Sequence, residues 1–297
     1  MAERVLGGQT AQKRDAVPGL FLLRETTRSD FEATIYEPIV CLILQGSKET
    51  TVGPETVSLS QGQFVVVSHD LPVLARITEA SPQTPYLAVV IRLELAVLRG
   101  LYDEVGEMGL QETGAKSLVV SGATPDIVDV LRRYMGLADN AVEADVLAPL
   151  IRKELHFRLL MSSSGAMLRS LIRRDSHASN ISRAIATLRA EFRNPLEVAE
   201  LARSVGMSTS SFHKHFKAIT MTTPLRYQKE LRLAEARRLL RTGTQPVSET
   251  ALAVGYESPS QFSREYSRKF GKSPRQDTLK GSSRCRFRGR GASVGDG

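Results

Sequence analysis

The residues best placed to do chemistry in this chain are cations and hydroxyls on two related stretches. The first reads Gly206-Met-Ser-Thr-Ser-Ser-Phe-His-Lys-His-Phe216, the second Gly255-Tyr-Glu-Ser-Pro-Ser-Gln-Phe-Ser-Arg-Glu-Tyr266. In each, a glycine offers the backbone freedom of a tight helix–helix turn. Ser208 or Ser258 then stands where its oxygen can accept from the free N–H groups opening a new helix. Four residues on comes Phe212 or Phe262, and four further Phe216 or Tyr266, a spacing that puts both rings on one inward face. Lys214 and Arg264 are rotated away from that face. A short capped helix with an apolar seat and a cationic outer face suits a DNA groove. The chemistry expected is recognition, by hydrogen bonds and charge, rather than bond making.

The flanking sequence repeats as well. Val198, Ala202 and Val205 align with Val247, Ala251 and Val254 at an offset of 49, and the second helices align at 50. This is an internal duplication of a helix-turn-helix. A long helix over Leu225–Arg241 separates the copies, opened by Pro224 and closed by Thr242-Gly243. Its 17 or so residues span about 26 Å at 1.5 Å each, against roughly 34 Å between successive major-groove faces. Adjacent grooves are within reach of one chain. Ile181, Ile185, Leu188 and Phe192 predict a helix ahead of the first copy, and Ser273-Pro274 opens a short one after the second.

Charge divides the same way. From Arg169 onward there are 25 Lys and Arg against 11 Asp and Glu, a net of +14, so the first 168 residues carry −6 of the chain's +8. A basic half beside an acidic half implies that one end meets a polyanion. At 297 residues the chain has length for about two domains. No run reaches the ~18 apolar residues of a membrane helix. Met1–Asp15 is charged throughout, unlike a secretory signal, and Cys41 and Cys285 suit reduced thiols in a cytoplasm.

The N-terminal half has strand texture. Ile39–Leu44, Thr50–Val52, Thr56–Leu59, Phe64–Val67, Val73–Ile77 and Leu87–Ile91 are short β-rich runs punctuated by Gly and Pro. They predict an antiparallel sandwich or barrel. Helical periodicity follows over Leu93–Val105, Pro125–Leu137 and Asp145–Met161. The stripe Val146, Leu150, Leu155, Leu159, Leu160 on the last reads either as core or as a dimer contact. The expected organisation is a disordered N-terminus to residue 18, a domain over 19–165, a linker over 166–180, a DNA-binding domain over 181–279 and a disordered basic tail over 280–297.

Residues Gly255–Tyr266 with Phe270-Gly271 and Ser273-Pro274 resemble the signature of the AraC/XylS family of bacterial transcription regulators. Leu201-Ala202, Gly206, Ser208, Phe212, Phe216 and Pro224 supply its first half. Tyr36-Glu-Pro, Cys41–Gly46, Ser68–Val73, Arg76-Ile77, Ala80-Ser-Pro and Pro85-Tyr86 resemble the regulatory domain on one branch of the family. The resemblance implies an α+β chain: a cupin-like β-barrel with trailing helices, then an all-α domain of two helix-turn-helix units joined by a long helix. It also implies sequence-specific binding of double-stranded DNA. Carried over by position, base-reading residues fall on Ser210, His213 and Lys214 in the first unit and Pro259, Ser260, Ser263 and Arg264 in the second. Arg264 is the best suited, since a guanidinium grips guanine with two bonds, whereas Pro259 offers only apolar contact. Ser208, Lys217, Ser258, Arg268 and Lys269 are the expected phosphate partners. A small-molecule effector in the barrel, RNA polymerase as partner of an activator, a homodimer and a cytoplasmic location complete what the family implies.

Rival chemistry is weaker. His213 and His215, two apart on a helix, point some 200° from each other and make a poor chelate. Where a cupin carries its metal histidines this chain reads Glu37-Pro-Ile-Val-Cys41, so no metal and no cofactor is expected. His69 with Asp70 reads as a loop pair or, more sharply, as an effector contact. No nucleophile constellation or phosphate loop is present, so no enzyme activity is expected. The tail Arg284-Cys-Arg-Phe-Arg-Gly-Arg290 reads as a disordered extension or an added phosphate attraction.

Overall fold

The computed structural model describes residue 2 and residues 12–105, 116–173, 176–242 and 245–278. The expected tail lies outside these, as does most of the expected disordered N-terminus.

Among the described residues ten strands form two antiparallel sheets: β1 (Gln12–Val17), β2 (Leu20–Glu25), β3 (Glu32–Tyr36), β4 (Ile39–Gln45), β5 (Ser47–Val52), β6 (Glu55–Ser60), β7 (Gln63–Val67), β8 (Leu71–Glu79), β9 (Tyr86–Arg92) and β10 (Leu118–Gly122). The larger sheet runs β1-β2-β9-β4-β7-β10 and the smaller β3-β8-β5-β6. The expected barrel is thus a pair of facing sheets that do not close on each other. Strand β1, inside the residues expected to fray, pairs with β2, and β10 pairs with β7 at the other edge.

The run Ile39–Ile43 is apolar throughout because its sheet is covered on both faces. Ile39, Cys41 and Ile43 face the smaller sheet, while Val40 and Leu42 face a layer of helices. That layer comprises α1 (Leu95–Val105), α2 (Pro125–Gly136), α3 (Ala141–Met161) and α4 (Gly165–Ile172). Helix α4 lies in the stretch expected as a linker. Leu168 and Ile172 sink into the sheet–helix core, which turns the sequence there into structure. On α3 the expected stripe splits. Leu155, Leu159 and Leu160 are buried, but Val146 and Leu150 are more than 60% exposed, and Ala144, Ala148 and Ile151 face inward instead.

The basic half folds as α5 (His177–Glu191), α6 (Val198–Ser204), α7 (Thr209–Thr220), α8 (Pro224–Thr242), α9 (Val247–Ala253), α10 (Pro259–Phe270) and α11 (Pro274–Thr278). One core gathers α5, α6, α7 and the start of α8 around Phe212, Phe216 and Tyr227. A second gathers the rest of α8 with α9 and α10 around Phe262 and Tyr266. Helix α8 therefore serves both units and lies along β3 and β8 of the smaller sheet.

Candidate nucleic-acid interface

Each unit builds its outer face in the same way. In the first, Gly206 turns between α6 and α7 at φ +71°. Ser208 then accepts from the Ser211 N–H at 3.3 Å and so starts α7. Phe212 and Phe216 are fully buried with ring centroids 5.4 Å apart, and Tyr227 meets Phe216 edge-on at 5.5 Å. Burying that face forces Ser210, His213, Lys214 and Lys217 outward, and all four are exposed. In the second unit Ser258 accepts from the Gln261 N–H at 3.3 Å, and Pro259 occupies the first turn, where its missing N–H costs nothing. Phe262 and Tyr266 are fully buried, and Pro259, Ser260, Arg264 and Arg268 are exposed.

The expected site residues are therefore gathered on two outward faces, with two qualifications. The Ser263 hydroxyl donates to the Pro259 carbonyl at 2.9 Å, which leaves it only as an acceptor. Lys269 is half-buried in an ion pair with Glu230, so its charge is partly committed within the protein. Ser208 and Ser258 accept backbone N–H groups, and the Ser208 hydroxyl also shares a 3.3 Å hydrogen bond with that of Ser210. His215 is not a free surface residue. Its ring stacks on His177 at the start of α5, 3.6 Å between centroids. Among the described residues no three His, Cys, Asp or Glu side chains are grouped to hold a metal ion.

Residues the sequence reading passed over set the two faces relative to each other. Arg232, midway along α8, donates from Nε to the Phe192 carbonyl at 2.7 Å and from Nη1 to the Gly255 carbonyl at 2.7 Å. Its Nη2 reaches Arg193 and Asn194 carbonyls at 3.0 and 2.9 Å. One side chain thus ties the end of α5 to the turn of the second unit. Gly255 takes φ +89° there, and a Cβ on it would lie 2.2 Å from the Arg193 carbonyl oxygen. Beneath α10, Arg237 Nε and the Tyr266 hydroxyl both donate to Asp277 Oδ2, at 2.8 and 2.7 Å. Arg237 also lies over the Phe270 ring at 4.5 Å. In sequence, Arg232 and Arg237 look like surface bases of a helix rich in them.

His69 and Asp70 join the two halves. The His69 Nε2–H donates to the Ala178 carbonyl at 3.0 Å while Nδ1 accepts from Ser68 at 2.8 Å, the one neutral tautomer that serves both partners. Burial, outweighing that carbonyl, lowers its pKa to about 4, so it is uncharged at neutral pH. Arg189 of α5 pairs with the Asp70 carboxylate at 2.5 Å and reaches Glu37 at 3.4 Å. The Tyr227 hydroxyl donates to the Asp70 carbonyl at 2.6 Å.

Comparison with known proteins follows the same division. Residues 16–167 match the family described as the AraC-type transcriptional regulator N-terminus, and residues 201–278 match a helix-turn-helix domain family. The thermoregulatory protein LcrF of Yersinia pestis is 22% identical over 240 residues, covering 80% of this chain and 88% of LcrF. The virulence regulon transcriptional activator VirF of Yersinia enterocolitica matches at the same identity and coverage. Fatty-acid-bound ToxT from Vibrio cholerae has a similar fold, with TM-score 0.57 and 10% identity over 90% of this chain and 96% of that one.

Proposed function

The chain belongs to the AraC family of DNA-binding transcription regulators, and on that premise we propose that α7 and α10 read two adjacent major-groove segments of one operator. The observation that carries this is the pair of outward faces held by one shared helix. In our reading Ser210, His213 and Lys214 contact bases from α7, and Pro259, Ser260, Ser263 and Arg264 from α10. Ser208, Lys217, Ser258, Arg268 and Lys269 contact phosphates, Lys269 with the smallest share because Glu230 holds it. Arg264 is the strongest base reader of the set: it is exposed, and no acidic partner holds it among the described residues.

Selecting bound sequences from random DNA gives the operator on which this is tested. Arg264→Ala is expected to weaken the selected site by about 1–3 kcal/mol and relax preference at one base position. Lys217→Ala should weaken every sequence alike and lower the salt slope by about 1. An equal loss on all sequences for Arg264→Ala would leave only backbone binding.

The two-sheet module is the seat of a small-molecule effector in this reading. Ligand-bound ToxT, of the same fold, supports it, as does the direct docking of the module on α5 and α8. VirF, named as an activator, supports activation with RNA polymerase as partner, in the cytoplasm. The module boundary falls at about residue 173, after α4. The exposed face of α3, Val142, Val146 and Leu150, fits a second copy of the chain. Sedimentation should show a dimer that Leu150→Glu splits, and a monomer at high concentration would sink that part.

A further inference from the structure

The space between the sheets holds a cation that DNA reading does not use. Lys48, Thr50 and Val52 alternate inward along β5, and Lys48 is only 9% exposed. Its ammonium donates to the Tyr36 hydroxyl at 2.7 Å, and the titratable groups that act on it among the described residues, Tyr36, Tyr86 and Cys41, include no carboxylate. An ammonium carries three donors, so two are left over. The Tyr36 hydroxyl, already accepting from Lys48, keeps its own proton, with Thr50 Oγ1 3.4 Å away. The Tyr86 hydroxyl is buried with only the weakly bonding Cys41 thiol beside it. Buried charge without a counter-charge is costly, and here several donors face a region short of acceptors.

A cavity of about 240 Å³ adjoins this group. Thr50, Val52, Val57, Val120 and Met221 line it together with Glu55 and Lys116, which pair with each other at 3.7 Å, and Thr50 is common to the cavity wall and the donor group. We propose that this is the effector seat and that it takes a small organic monoanion. The carboxylate head meets Lys48, Tyr36 and Thr50, and an apolar body packs on Val52, Val57, Val120 and Met221. The proposal rests on the effector reading above and gives it a site and a ligand class.

Met221 makes the site a lever. It follows α7 immediately, and its N–H caps that helix on the Lys217 carbonyl at 2.9 Å in the left-handed region, φ +59°. That conformation costs a non-glycine residue about 1–2 kcal/mol. Gly53 packs so closely that a Cβ on it would lie 2.4 Å from the Met221 carbonyl oxygen, and Ser117 donates to the Ile219 carbonyl. The end of the first recognition helix is thus part of the cavity wall. A ligand touching Met221 shifts the setting of α7 by as much as it favours one placement of that residue over another.

The test uses the full chain, with cyclohexanecarboxylate and its uncharged analogue cyclohexanecarboxamide as probes in titration calorimetry. The acid is expected to bind about 10–100-fold more tightly than the amide, the range for a charge-assisted hydrogen bond. Lys48→Met should remove that preference, and it should fold, since an apolar side chain of similar size replaces a buried charge. Thr50→Val is a second variant that should weaken the acid and leave the charge in place. Met221→Gly, which suits the positive φ, should keep acid binding and lose the acid's effect on DNA affinity. Acid affinity unchanged in both Lys48→Met and Thr50→Val overturns the site, as does failure of both probes to bind the wild type. Equal binding of acid and amide overturns the anionic class. A different effector whose binding survives Lys48→Met would overturn this seat and leave the effector reading standing.

Discussion

Asp277→Ala is expected to destabilise the second helix-turn-helix unit by about 3–5 kcal/mol, the range for breaking a buried ion pair from one side. Asp277 is 2% exposed and Arg237 7%, so the alanine leaves a guanidinium and the Tyr266 hydroxyl facing each other without an acceptor. Arg237 Nη1 already lacks a partner, which limits what the intact pair contributes over an apolar substitute. It does not reduce the cost of breaking the pair, because that cost is the stranded charge. Against a total of about 5–15 kcal/mol such a loss is large. Denaturation followed by circular dichroism measures it, and a loss under about 1 kcal/mol would contradict the assignment. Replacing both partners by apolar residues, Arg237→Met with Asp277→Leu, should recover most of the stability.

The same pair sets a pH dependence. Burial opposes ionisation of Asp277, but the Tyr266 hydrogen bond and the charges of Arg237 and Arg241 outweigh it and hold the carboxyl below its ordinary range. A carboxyl depressed in the folded state contributes stability that is present above its unfolded value, near 4, and lost as pH falls through its folded value. Wild-type stability should therefore decline below about pH 4 more steeply than that of the double apolar variant.

What the sequence made legible was local. The Gly–Ser–Phe stretches specify turn, cap and buried face within a dozen residues, so both helices and the outward Lys214 and Arg264 follow from spacing, while the other outward residues came from the family resemblance. Strands with alternating or fully apolar runs were legible for the same reason. What escaped were features set by distant partners. β10 is a short edge strand whose place depends on pairing with β7. Helix α4 is ordered by burial of Leu168 and Ile172 against a core made elsewhere. His215 reads as exposed until α5 brings His177 over it. Lys48 reads as one face of a polar strand, and only the second sheet shows that this face is inside. His69 and Asp70 drew notice as a pair, yet their role as the joint between modules rests on Ala178, Arg189 and Tyr227, more than 100 residues away.

Arg232 belongs to the same class, and its removal should be felt in DNA binding about as strongly as loss of the best outward base reader. Its fork gathers carbonyls from the end of α5 and the turn before α10. The carbonyls of Phe192, Arg193 and Asn194 follow the last turn of α5, where no further helical N–H is there to take them. Four such bonds are not additive, and water can reach part of the site, so Arg232→Ala is expected to cost about 2–4 kcal/mol rather than four full charge-assisted bonds. Lysine should not rescue it, because a single ammonium cannot span carbonyls on two elements as a planar fork does. The functional effect follows from geometry. With the brace gone, α7 and α10 keep their own caps and cores but lose their fixed separation, so simultaneous engagement of two grooves becomes less favourable. Affinity for the full operator should fall about 10–100-fold, the fold-change equivalent of 1.4–2.8 kcal/mol. Affinity for DNA carrying one of the two segments should change little. Equal losses on both DNAs would mean that Arg232 supports one unit's folding rather than the spacing between them, and Arg232→Lys behaving like wild type would reduce its part to charge.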